Sequence, residues 1–205
     1  MSSLNDLFKE QMVEARRTQI LLGAAQVFAD KGFHKATTKE IAKAADVSEG
    51  TIYNYFNSKR ELLFALIDLV ATQSLKTVVE AHQRDEPHAF LTAIMRDRYQ
   101  LLHDQGHLMA PILAEIFSDE DLRGEVYEKI VLPISAFVEK YIQTQIEAGV
   151  FRPVNPAIVT RAFIGAMMLN TTMKLTAIDE RYKSLPAEAM IEELVSLFLR
   201  GMMAA

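Results

Sequence analysis

A chain of 205 residues, 50% apolar and 24% charged, is long enough for one large or two small domains and can bury a sizeable core. It has no cysteine, which excludes disulfides, thiolate metal sites and cysteine nucleophiles and fits a reducing compartment. The net charge of −5 argues against wholesale nucleic-acid binding, yet residues 1–60 carry +2 and the remaining 145 carry −7, so one small basic end suits an anionic partner.

The N-terminal stretch MSSLNDLFKE has no basic leader followed by an apolar run, so no signal peptide is expected. No apolar run approaches the roughly 20 residues that span a bilayer, so no membrane partner and a cytoplasmic location are expected. Strand-like alternation is absent and almost every segment reads helical. The first helix runs from about Leu4 to Asp30, with Ile20, Ala24, Val27 and Phe28 on its inward stripe and Gly32 as its stop. Three helix starts follow within about twenty residues. Thr37 with Glu40 and Ser58 with Glu61 fit capping boxes, and Ser48 is a third N-cap, placing helices from about 38, 49 and 59. The last of these runs to about Ala81.

In the first short helix, Ile41, Ala44 and Ala45 are expected inward and Lys39 and Lys43 outward. In the second, Ile52 and Phe56 join Val47 in a core. Gly50, Thr51, Asn54 and Tyr55 fall on the opposite face, with Tyr53 between. That face is poor for burial and for helix propensity. It suits an interface: Gly lets a backbone approach, and Thr, Asn and Tyr hydrogen-bond base edges and phosphates. Two short helices joined by a tight turn make a helix-turn-helix. The helix starts at Thr37, Ser48 and Ser58 offer free N–H groups to phosphates, and Lys59 sits unfavourably in one such first turn unless a phosphate docks there. A plain helical corner with solvated lysines is the other reading.

Further helices are expected at about 88–104, 108–118, 121–148, 156–178 and 187–203, with Pro133 kinking or splitting the third. The 156–178 helix is apolar nearly all round, so it is expected to be covered on all sides. Ile158, Ala162, Gly165, Ala166 and Leu169 share one face; Phe163, Met167, Asn170 and Lys174 share the opposite one. The last helix carries Ile191, Leu194, Val195, Phe198 and Met202 on one stripe. His103 and His107 have a spacing that can hold a metal on a helix, but no third ligand follows, so no metal is expected. No phosphate-binding glycine loop, nucleophile elbow or paired catalytic carboxylates are present. No catalytic residue, no enzyme activity and no cofactor are therefore expected.

The stretch ILLGAAQVFADKGFHKATTKEIAKAADVSEGTIYNYFNSKRELLFALI, Ile20 to Ile67, resembles the DNA-binding domain of the tetracycline-repressor (TetR) family. The likeness rests on F-x-x-K-G-F closing the first helix, T-T-x-x-I-A opening the second, V-S-x-G-T-I-Y-x-Y-F over turn and third helix, and S-K-x-x-L opening the fourth. The chain departs from the family at Asp46, where Gly is usual. The turn there needs positive φ, which Asp tolerates better than most residues.

The resemblance implies an all-α protein. An N-terminal three-helix helix-turn-helix domain at 1–60 continues into a connecting helix at 59–81. A larger C-terminal helical domain at 61–205 binds ligand and dimerises. It implies that Thr37, Thr38 and Lys39 lie near the DNA backbone, that Glu49, Gly50, Thr51 and Asn54 lie at or near base edges, and that Tyr53, Tyr55 and Lys59 hold phosphates, with Ser48 also in the DNA-binding set and Arg17 reaching a flanking phosphate. It implies a homodimer through the last two long helices, at Ala162, Gly165, Ala166, Leu169, Ile191, Leu194, Val195 and Phe198. Eight of the 10 Met residues lie after residue 90. Met95, Met109 and Met167, with Tyr99, His103, Phe117, Tyr127, Phe137, Phe163 and Asn170, are candidates to line a cavity for a small apolar or aromatic effector. The functional expectation is a regulator that binds a double-stranded operator and is released by its ligand. The alternative is a helical enzyme or partner-binding module without DNA function.

Overall fold

The structure, a computed structural model, describes residues 4–176 and 179–204. In α1 (Leu4–Lys31) the stripe Ile20, Ala24, Val27 and Phe28 is buried, as its spacing predicts. The helix ends at Gly32, whose φ of 78° is left-handed and whose N–H donates to Phe28 O at 2.9 Å. The three N-caps start α2 (Thr38–Ala44), α3 (Glu49–Tyr53) and α4 (Lys59–Ile67). Thr37 accepts from Glu40 N while Glu40 Oε2 accepts from Thr37 N, so both halves of the capping box form.

α2 leaves at Asp46 with φ of 52°. Asp46 N donates to Lys43 O and Val47 N to Ala42 O, the pair of bonds that closes a helix through a left-handed residue. α1 and α2 cross closely because Gly23 has no side chain: a Cβ there would lie 2.8 Å from both Cβ and N of Ala45. Gln19 Nε2 donates to Ala45 O at 2.6 Å across the same crossing. Ala44, expected inward, is exposed, and Ala42 is buried in its place. The reason is that α2 packs against α3 as well as α1, which turns its buried arc toward Ala42.

The continuation to His82 is not one regular helix. A π-helical segment, Asp68–Thr72, separates α4 from α5 (Gln73–His82). By length and composition the whole stretch Lys59–His82 is apolar enough to cross a membrane, which corrects the sequence estimate. Its Leu62, Leu63, Leu66 and Ile67, and then Leu75 and Val79, are buried in protein cores. The helices expected at 88–104 and 108–118 are a single helix, α6 (Pro87–Ser118), running through Gly106. One glycine costs a helix only about 1 kcal/mol, too little to break one anchored by buried side chains on both sides. The 121–148 segment does split, but just upstream of Pro133. α7 (Glu120–Val126) and a π segment, Tyr127–Val131, precede α8 (Leu132–Glu147), so Pro133 falls in the first turn of α8, directly after the π segment. α9 (Pro156–Thr176) and α11 (Ala187–Met202) match expectation, with 177–178 of the expected 156–178 helix outside the described residues; the short α10 (Glu180–Ser184) is capped by Asp179.

Two compact units emerge, one from residues 4–69 with 107–126, the other from 70–106 with 127–204. The first has Ile20, Phe28, Ile41, Ile52, Phe56 and Leu62 at its centre, each at most 1% exposed. The second is built on Phe90, Met95, Tyr141, Phe163, Met167, Ile191 and Val195. Tyr141 stacks on Phe90 at 3.7 Å between ring centroids. Within it Arg98 is 9% exposed, its guanidinium bonded to Asp97, to Ser74 Oγ and to the carbonyl of Ala71 inside the π segment. Arg152 N donates to Met202 O and Ala204 N to Val150 O, tying the C-terminal residues down through one isolated antiparallel bridge.

Candidate nucleic-acid interface

α3 divides its side chains cleanly. Ile52 and, just beyond the helix, Phe56 are 1% exposed and hold it to the core. Glu49, Gly50, Tyr53 and Asn54 are exposed; Thr51 and Tyr55 are half-buried. Tyr53 therefore takes the outer position expected of Tyr55. Ser48 Oγ accepts from Thr51 N and lies 2.7 Å from Thr51 Oγ1, so the two hydroxyls are held together at the helix start. A Cβ added to Gly50 would meet only Ser48 Oγ, at 3.8 Å. Among the described residues nothing requires glycine there, so the free protein has room for a side chain at this position.

α2 supplies the flank. Thr38 is half-buried and Lys35, Lys39 and Lys43 are exposed. Thr38 Oγ1 donates to Glu49 Oε1 at 2.5 Å and lies 3.4 Å from the Tyr53 hydroxyl. That small network links the first turns of α2 and α3, and sequence patterning gave no sign of it. Thr37 is engaged as the cap of α2. Glu40, which closes the capping box, has its carboxyl held below the usual range, first by the Lys31 ammonium and then by Thr37.

Two cations assigned to phosphates lie against aromatic rings. Lys59 Nζ donates to the carbonyls of His34 and Ala36, at 3.0 and 2.9 Å, and lies 4.6 Å from the centroid of Phe33. Arg17 stands 4.7 Å from the centroid of Phe56. Both brace the helix-turn-helix from its flanks. In the same unit Asp119 pairs with His34 at 3.1 Å, and its carboxyl is held low chiefly by the Leu122 N–H.

The candidate effector residues are divided between the two units. Met95, Phe163 and Met167 are in one core, with Tyr99 packed against it. Met109 is buried and Phe117 is 69% exposed, both in the unit that holds the helix-turn-helix. Tyr127 and Phe137 are exposed; Arg161 donates to the Tyr127 hydroxyl. His103 pairs with Asp104 on the surface. Asn170 accepts from the Tyr182 hydroxyl at 2.7 Å and donates to Ala166 O.

Of the interface candidates, Ala162, Gly165 and Leu169 are exposed and Ala166 half-buried, on a face that also bears Ile158 at 67% exposed. α9 is therefore not covered on all sides within the chain. Ile191 and Val195, at 1% and 0%, are buried in the chain's own core and present no outer surface. Leu194 and Phe198 are half-buried, and Leu197, not anticipated, is 64% exposed. Ile158, Ala162, Leu197, Phe198 and Gly201 line a shallow groove between α9 and α11.

An all-helical chain whose short, core-anchored third helix turns a polar face outward beside exposed lysines has the layout of a helix-turn-helix DNA-binding regulator. Residues 20–66 match the family described as bacterial regulatory proteins, tetR family. UidR of Escherichia coli (strain K12), an HTH-type transcriptional regulator, is 26% identical over 193 residues, 92% of this chain and 93% of its own. FasR of Mycolicibacterium smegmatis, an HTH-type transcriptional activator, is 35% identical over 112 residues, 49% of this chain and 51% of its own. Among solved structures, the transcriptional regulator FadR from Bacillus subtilis, in complex with stearoyl-CoA, has the same fold. It superposes with a TM-score of 0.74 at 21% identity, covering 90% of this chain and 98% of that one. Residues 20–66 thus carry the tetR-family DNA-binding region, and the chain is a DNA-binding transcriptional regulator.

Proposed function

We propose that the chain acts as a cytoplasmic homodimer on a pseudo-palindromic operator, as a repressor released by a small apolar or aromatic effector. The observation that carries the DNA-reading half is the outward face of α3, with Glu49, Gly50, Tyr53 and Asn54 exposed above a fully buried Ile52. The dimer is supported by the exposed apolar face of α9 and α11, where Ile158, Leu169 and Leu197 are 67%, 58% and 64% exposed. A two-fold dimer would present two copies of α3 to two half-sites.

The effector reading is supported by a methionine-rich core and by two orphaned hydroxyls. Thr160 and Thr171 are 0% exposed on α9, flanking Phe163 and Met167, and their Oγ1 atoms have no partner among the described residues. An unmet buried hydroxyl costs about 1–3 kcal/mol, which a bound acceptor would recover. The stearoyl-CoA held by FadR gives a precedent for a long apolar effector in this fold. Light scattering at micromolar concentration tests the assembly: the wild type should be a dimer, and Leu197→Asp should yield monomers that lose specific DNA binding. A monomeric wild type overturns the proposal. Mass spectrometry of a denatured extract then identifies any retained effector, and adding it back should weaken operator binding. Activation is the second reading, favoured by the FasR relative; a reporter that falls on deleting the chain would establish it.

A further inference from the structure

Glu49 is an acidic residue on the face assigned to DNA. It is exposed, and among the described residues no cation pairs with it, although Lys35, Lys39 and Lys43 are exposed nearby in sequence. A carboxylate facing phosphates is repelled, so an acid there weakens indiscriminate binding. Its one bond fixes its direction. Thr38 has a single hydroxyl hydrogen and donates it to Glu49 Oε1. The contact between the hydroxyls of Thr38 and Tyr53 is then made by Tyr53 donating to Thr38 Oγ1. A chain Tyr53 to Thr38 to Glu49 results, in which each donor strengthens the next. Glu49 Oε1 is held toward α2, and Oε2 has no partner among the described residues.

We infer that Glu49 is a specificity-determining residue that selects a C·G pair in each half-site by accepting from the cytosine 4-amino group, and that Thr38 is its positioning residue. This rests on the DNA-reading function proposed above. The base follows from major-groove chemistry. Guanine offers only acceptors there, and thymine an acceptor and a methyl, so both repel or ignore a carboxylate. Adenine offers an amino group but sets the N7 acceptor beside it. Cytosine alone offers the amino donor without a neighbouring acceptor on its own edge. Recognition helices place their N-terminal residues at base edges, and Glu49 is the first residue of α3.

The test is selection of bound duplexes from a randomised pool with the full-length wild type and with Glu49→Gln, Glu49→Ala and Thr38→Val. Titration of the wild-type site against single C·G replacements follows. The wild type should discriminate roughly tenfold or more at one C·G position per half-site, within the range of a good base contact. Glu49→Gln should move that position toward adenine, which an amide reads through N6 and N7. Glu49→Ala should erase the preference there while binding random DNA at least as tightly. Thr38→Val, which keeps the shape but not the hydroxyl, should blunt the same position and leave the others alone. A wild type that selects a site which Glu49→Ala selects unchanged overturns the inference alone. A wild type that selects no site removes the DNA-reading function, and the inference with it.

Discussion

Gly50→Ala should move stability and DNA affinity in opposite directions. Alanine is about 1 kcal/mol better than glycine in a helix interior; in the first turn of a five-residue helix roughly half of that is a fair expectation. The added methyl meets nothing closer than Ser48 Oγ at 3.8 Å, so no packing term opposes the gain. For a chain of this size about 0.5 kcal/mol raises the melting temperature by about 1–2 °C. On DNA the same methyl stands between Glu49 and Thr51, where the backbone is expected to approach the groove. Losing one base contact there costs about 1–3 kcal/mol, roughly tenfold or more in affinity. Thermal melts followed by circular dichroism give the first quantity, and fluorescence anisotropy with operator and scrambled duplexes the second. Unchanged operator affinity would refute the close approach. A destabilised variant would show instead that the glycine serves the fold.

Three further outcomes are expected. Asp46→Gly should be neutral or stabilising by up to ~1 kcal/mol in urea unfolding, because φ of 52° is strained for any residue with a side chain; a clear loss would mean that the Asp side chain itself holds the turn. Lys59→Ala should lower stability by about 1–2 kcal/mol through loss of two carbonyl hydrogen bonds and the Phe33 contact, as well as weakening DNA binding; full stability with weakened binding would make Lys59 a phosphate ligand only. Burial, followed by the charges of Glu86 and Asp85, pushes the Tyr141 hydroxyl up to about 12. A folded value above the unfolded one near 10 means the stabilisation is complete below about pH 10 and is lost as pH rises toward 12. Ultraviolet titration should show a late phenolate that Tyr141→Phe removes, and its persistence in that variant would contradict the assignment.

The helix-turn-helix was legible because its signals are local. Thr37, Ser48 and Ser58 each cap within three residues, and the turn leaves a positive-φ position that Asp46 fills. Long-range placements were not legible. Gly23 looks like any helical glycine until Ala45 arrives 22 residues later in sequence and touches its missing side chain. The pairing of Thr38 with Glu49 depends on the crossing of two helices, which periodicity does not give. Lys59 reads as a surface cation, yet its long stem carries the ammonium to carbonyls more than twenty residues away. The π segments escaped notice because a one-residue bulge leaves the apolar spacing nearly intact. On α11, a broad apolar stripe does not say which edge meets the chain's own core. Ile191 and Val195 went inward and Leu197 outward.

The most direct measurement is an anisotropy titration of the full-length chain across a salt series. It compares an inverted repeat selected from a randomised pool with a scrambled duplex of equal length and composition. The expected result is roughly a thousandfold preference or more for the repeat at physiological salt, with a log–log salt slope of about −0.9 per phosphate contacted. Equal affinity for both duplexes at every salt concentration would contradict a chain that reads sequence through α3.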